Sequence, residues 1–155
     1  MLTVEIVDRA DDISYGSGYA KHQIGGILRK VVLRALPRQH FKQFYVETDL
    51  DEEYRDADLK ISYRLQLDSP VRIKLELMDQ GGASIKTLEH YLDTPAGSVS
   101  MPVANPHKWD AEHPYLYTLQ ITLFEDGLPS LSTREKIGFR EVRVDGNRLL
   151  VNGRP

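Results

Sequence analysis

Five histidines (His22, His40, His90, His107 and His113) and 23 acidic residues are the side chains that could ligate a metal or move a proton. The histidines are scattered, and no two sit at metal-ligand spacing, so the pattern gives no zinc centre. The one dense acidic run, Asp49-Leu50-Asp51-Glu52-Glu53, lacks the glycine and the ligand spacing of a calcium loop. It reads as a solvated turn between strands. Carboxylate pairs for acid/base work could be drawn from any of the acids, but the spacing singles out none. No P-loop, G-x-G-x-x-G or G-x-S-x-G occurs, and Gly25-Gly26 suits a strand entry or bulge better than a phosphate cradle. With no Cys, thiol catalysis, thiolate metal sites and disulfides are excluded. None of the three Asn residues opens a glycosylation sequon. The expected site is therefore empty: no catalytic, cofactor-binding or metal-binding residue, and no cofactor.

The elements that would have to position any chemistry are strands. Leu59, Ile61, Tyr63, Leu65 and Leu67 alternate with Lys60, Ser62, Arg64 and Gln66. Val71, Ile73, Leu75 and Leu77 repeat the pattern, and so do Tyr115, Tyr117, Leu119, Ile121 and Leu123. Period-two alternation gives strands with one buried and one wet face, as in antiparallel sheets. Further strands are expected at 43–48, 84–91, 98–103 and 135–142. Turn residues punctuate them at Asp68-Ser69-Pro70, Gln80-Gly81-Gly82, Thr94-Pro95-Ala96-Gly97 and Glu125-Asp126-Gly127. Seven short strands over roughly 100 residues predict an all-β fold, an immunoglobulin-like antiparallel β-sandwich. Trp109 lies in a polar stretch and reads as an anchor at the core edge.

The chain has 155 residues, 41% hydrophobic and 28% charged, as ordinary globular proteins do. Twenty basic against 23 acidic residues leave a net charge of −3, which gives no field favouring nucleic acid or anionic membranes. No apolar run reaches the ~20 residues of a membrane-spanning helix. The compartment stays open between cytoplasm and periplasm. Strands expected at 2–7 and 26–36, with a polar loop between, cannot bury a core by themselves. Near the other end, Asp145-Gly146-Asn147-Arg148 is a hairpin signal. The expected division is 1–37, a remnant of a preceding domain; 38–141, the sandwich; and 142–155, a hairpin leading onward. A chain that begins in mid-sheet and ends on a turn is expected to be a piece of a longer one. The apolar edges of 2–7 and 26–36 would then pack on the sandwich, pair between copies or stay mobile.

Three ordered motifs carry a resemblance. Asn105-Pro106-His107-Lys108-Trp109-Asp110-Ala111-Glu112-His113-Pro114-Tyr115-Leu116-Tyr117 resembles the N-P-x-x-W-x-x-E-x-P-x-L-Y signature of glycoside hydrolase family 2. Ile24-Gly25-Gly26-Ile27-Leu28-Arg29-Lys30-Val31-Val32-Leu33 is similar to the strand closing that family's sugar-binding jelly roll. Ile137-Gly138-Phe139-Arg140-Glu141-Val142, with Leu149-Leu150-Val151-Asn152-Gly153-Arg154-Pro155, resembles the passage into its catalytic barrel. Pro106 and Pro114 fix φ at both ends of a turn, and Trp109 can lie across the mouth of the sandwich. Glu112 is expected as a turn carboxylate, Tyr115 and Tyr117 as core residues on one strand face, and Phe139 as a plug of the base. Arg140 and Arg143 are candidate donors to a neighbouring domain, Arg143 equally a solvated surface residue.

The resemblance implies a parent ordered as jelly roll, sandwich and (β/α)8 barrel, a retaining enzyme of the β-galactosidase type acting on terminal β-galactosides or related β-glycosides. Its acid/base and nucleophile would be two glutamates on the barrel, after Pro155, so this section alone should be inactive. The loop at 15–23 matches a jelly-roll loop near the active site, but Ala20, Lys21 and His22 stand where some members carry an aspartate. The partners implied are the remaining domains, with a homo-oligomer left open. The alternative is an independent carbohydrate-binding or adhesion module, disfavoured because the aromatics fall mostly in the buried register.

Overall fold

The computed structural model of the protein describes residues 3–6, 26–27 and 29–154. The backbone divides into two compact units, Met1–Ala35 and Leu36–Pro155. In the first, the described residues form no strand, contrary to the strands expected at 2–7 and 26–36; 29–36 are likewise irregular up to the start of the second unit. A strand needs a neighbour's ladder of N–H and C=O groups, and the described residues offer these segments none. Val31, Val32 and Leu33 remain exposed. The polar loop expected at 8–23, including Ala20, Lys21 and His22, lies entirely outside the described residues.

The second unit is an antiparallel sandwich of seven strands followed by a hairpin. Its strands are β1 (His40–Leu50), β2 (Ala57–Gln66), β3 (Val71–Met78), β4 (Ser84–Leu92), β5 (Ala96–Val103), β6 (Tyr117–Glu125) and β7 (Leu128–Ile137); the hairpin is β8 (Val142–Asp145) and β9 (Arg148–Val151). One sheet has the order β1-β2-β5 and the other β4-β3-β6-β7. The alternating residues meet between the sheets: Leu59, Ile61, Tyr63 and Leu65 of β2 join Val71, Ile73, Leu75 and Leu77 of β3 and Tyr117, Leu119, Ile121 and Leu123 of β6 in one buried core. Apolar burial at these positions drives the two sheets together.

Three strands of the sandwich differ from expectation. The strand expected at 135–142 is β7, which begins at Leu128 and ends at Ile137, while 138–141 form no strand. Being an edge strand, β7 is largely exposed and carries Ser130, Ser132, Thr133, Arg134 and Lys136, so it has no period-two signature. Asp126 and Gly127, both at positive φ (50° and 79°), join β6 to β7 as a two-residue turn that matches strand twist. Tyr115 precedes β6 instead of opening it, and Ala96-Gly97 belong to β5 rather than to the turn before it.

Candidate functional site

Two of the family-like motifs, those at 105–117 and 137–155, converge at one end of the sandwich. Pro106 is buried after Asn105, whose backbone N–H donates to Asp56 Oδ1 (2.9 Å). The Trp109 N–H donates to the carbonyl of Phe139 (2.9 Å), and Lys108 bridges to the same residue in a short parallel pairing. This close approach depends on Gly138, because a Cβ there would stand 2.9 Å from Trp109 Cβ. Phe139 is fully buried and meets Tyr117 edge-on, with ring centroids 5.2 Å apart. The Tyr117 hydroxyl accepts the N–H of His107 (2.9 Å), and burial pushes its pKa up from the ordinary 10.0. Tyr115, half-buried, stacks between His107 and Tyr117.

Asn152 ties the hairpin to this end. Its Oδ1 accepts the Glu141 N–H (3.0 Å), its own N–H donates to the Glu141 carbonyl (2.9 Å), and its Nδ2 donates to the Trp109 carbonyl (3.0 Å). Asn152 sits at φ 50°, a left-handed conformation that Asn adopts more readily than most residues. Gly153, at φ 74°, lies against the ring of Tyr54, where a Cβ would stand 2.6 Å from Cε2. The hairpin thus contacts the β1–β2 turn as well.

Two aspartates shape the turns here. Asp51 accepts the N–H groups of Arg55 (2.6 Å) and Asp56 (3.0 Å), and these bonds, that of Asp56 first, hold its carboxyl below the ordinary 3.8. Asp110 Oδ1 accepts the N–H groups of His113 (2.6 Å) and Glu112 (2.9 Å), which lower its pKa in the same way, His113 foremost. The acidic run at 49–53, expected as a turn, instead ends β1 with Asp49 and Leu50 and then enters a turn whose organiser is Asp51. In the 105–117 motif the organiser is Asp110, while Glu112 is exposed. The sequence reading passed over both Asp110 and Asn152. Asp before a Pro-ended turn, and Asn before Gly at a strand end, are the signals that could have found them.

A groove of about 410 Å³ opens beside this end, lined by Val46, Thr48, Trp109, Leu116, Ile137 and Arg140. The Arg140 guanidinium lies 4.4 Å from the centre of the Trp109 ring, a cation–π contact that covers the indole face. Arg143 is exposed on β8 and has no ion-pair partner among the described residues. Among the described residues no three His, Asp or Glu side chains converge in a way that could hold a metal.

Comparison with known proteins gives this end a context. The family model of glycosyl hydrolases family 2 matches residues 39–140. The chain is 35% identical over 161 residues to the β-galactosidase of Aeromonas hydrophila, covering 97% of this chain and 16% of that protein. It is 34% identical over 135 residues to the β-galactosidase of Halalkalibacterium halodurans, covering 85% of this chain and 13% of that one. The β-glucuronidase of Ruminococcus gnavus superposes with a TM-score of 0.62 at 30% identity, over 78% of this chain and 19% of its own. A family 2 member from Bacteroides cellulosilyticus shares the fold, with a TM-score of 0.67 at 19% identity. The chain thus corresponds to about a sixth of the curated relatives, and the section it matches is the all-β sandwich with its flanks. On these grounds the chain belongs to glycosyl hydrolases family 2.

Proposed function

We propose that this chain is the spacer section of a retaining β-glycosidase, most simply one acting on terminal β-galactosides, and that it takes no chemical part in the reaction. In this reading 1–37 completes a sugar-binding jelly roll, 38–141 is the spacer, and 142–155 leads into a catalytic (β/α)8 barrel that carries both glutamates. The observation that supports it is the use made of the signature residues. Trp109, Tyr117, Phe139 and Asn152 are engaged with one another and with the backbone. None of them positions a pair of carboxylates around an open cleft. Proteins named β-galactosidase that match nearly the whole chain supply the substrate class.

The test is turnover. The purified chain is expected to release no nitrophenol from nitrophenyl β-galactoside above a heat-killed control. Activity that copurifies with the chain and disappears on heating would overturn the reading. Trp109 is half-buried and capped by Arg140, which does not suit the sugar-stacking platform of a free-standing binding module.

A further inference from the structure

We propose that the groove beside Trp109 receives an extended polypeptide segment that presents a carboxylate to Arg140 and an apolar side chain to Val46, Leu116 and Ile137. The groove holds about 410 Å³, and no acidic residue lines it, although acids outnumber bases in the chain by 23 to 20. Its two cations are in different states. The Lys136 ammonium is engaged with Thr118 Oγ1 (2.8 Å). The Arg140 guanidinium lies 4.4 Å from the centre of the Trp109 ring and has no ion-pair partner among the described residues. Val46 and Leu116 are half-buried and Ile137 is buried, so an apolar lining accompanies that charge. Val46 and Thr48 belong to β1, and Lys136 and Ile137 to β7, the outermost strands on this side of the two sheets. The Thr48 hydroxyl donates to the Gly138 carbonyl (3.2 Å), which ties β1 to the connector that follows β7.

Each feature narrows the occupant. A guanidinium held against an indole keeps N–H donors in its own plane, and a carboxylate accepts two of them at once. Ordering by the ring also lowers the rotamer entropy that binding would cost. A sugar would meet the same donors, but the indole face on which it would stack is covered. A phosphodiester chain needs several cations, and this groove offers one that is unpaired among the described residues. A free carboxylate would use Arg140 and leave the two strand edges as they are. An edge strand presents N–H and C=O groups to which an extended chain can add, with specificity from its alternate side chains. Trp and Arg are, besides, the residue types that most often carry the binding energy of protein interfaces. This inference does not depend on the spacer reading.

The test is a titration of the 15N-labelled chain with acetyl-Glu-Thr-Leu-methylamide, with its neutral counterpart acetyl-Gln-Thr-Leu-methylamide, and with 3-phenylpropionate. The first and third side chains of each peptide fall on one face when it is extended. Saturable shifts of the Trp109 indole N–H and of the Val46 and Ile137 backbone signals are expected with the glutamate peptide, and about tenfold weaker binding with the glutamine peptide. That pair tests the charge on the wild-type chain, without any substitution. Arg140→Gln is expected to weaken the glutamate peptide about tenfold and to remove the preference for glutamate over glutamine. Leu116→Ala is expected to weaken both peptides alike, about threefold. No saturation by about 50 mM glutamate peptide, equal binding of the two peptides, or an Arg140→Gln chain that still prefers glutamate would overturn the proposal. So would 3-phenylpropionate binding as tightly as the peptide, which would make the occupant a free carboxylate. A dimer in light scattering that Arg140→Gln dissociates would make it a second copy, and would overturn the proposal as well.

Discussion

At one end of the sandwich Asn152 makes three hydrogen bonds and Phe139 is sealed against Tyr117, whereas at the other the buried carbonyl of Gln39 has no donor among the described residues and Asp68, Glu125 and Asp126 gather at the turns. β1 and β6 run between these two ends, so both are built on the same strands. The difference lies in what the loops do. At the signature end, loops from four parts of the chain satisfy one another's backbone groups: the β1–β2 turn, the 104–116 segment, the 138–141 connector and the end of β9. At the other end, two short turns and the entry to β1 bring acceptors together with few donors. A dense family motif can thus mark the part of a domain where the loops satisfy one another's polar groups, while residues outside any motif bring acceptors together with fewer donors.

The largest effect should come from removing the plug. Phe139→Ala is expected to cost about 3–5 kcal/mol of stability in urea denaturation, since a fully buried aromatic leaves a cavity that the sheets cannot close. Survival of a native fold with less than about 1 kcal/mol lost would show that the end is not part of the core. A smaller loss is expected at the clamp. Asn152→Ala removes two side-chain hydrogen bonds and a residue suited to positive φ, and should cost about 2–3 kcal/mol. Asn152→Asp keeps an acceptor for Glu141 and loses only the donor to Trp109, so about 1–2 kcal/mol is expected.

The smallest effect is on pH dependence. Asp51 and Asp110 both titrate below their ordinary value in the folded chain. Their contribution is therefore complete above about pH 4 and is lost as pH falls through the depressed folded values. Melting temperature followed from pH 5 downward should decline, and Asp51→Asn should flatten the decline. An unchanged slope in that variant would remove Asp51 from the account.

Much of this architecture was legible because it rests on burial. The alternation at 59–67 and 71–77 marked β2 and β3, since their two faces meet very different surroundings. Where a strand has little buried face, as in β7, the chain carries no such mark, and the strand was placed too late. The hairpin at 142–151 was readable from its turn, where Gly146 takes φ 60°. The roles of Asp110 and Asn152 were not readable from periodicity, because they depend on which backbone groups the folded loops leave unpaired. Gln39 was invisible for the opposite reason: what distinguishes it is a buried carbonyl that finds no donor among the described residues.

Trp109 is the single tryptophan, so its emission reports the signature end alone. Urea unfolding of the wild-type chain and of Asn152→Asp, followed by Trp109 emission and by far-UV circular dichroism, tests most directly whether the signature residues are committed to the fold. The account predicts coincident transitions by both probes, displaced together to lower urea in Asn152→Asp. Emission that changes well before the dichroism, or a variant as stable as the wild type, would contradict it.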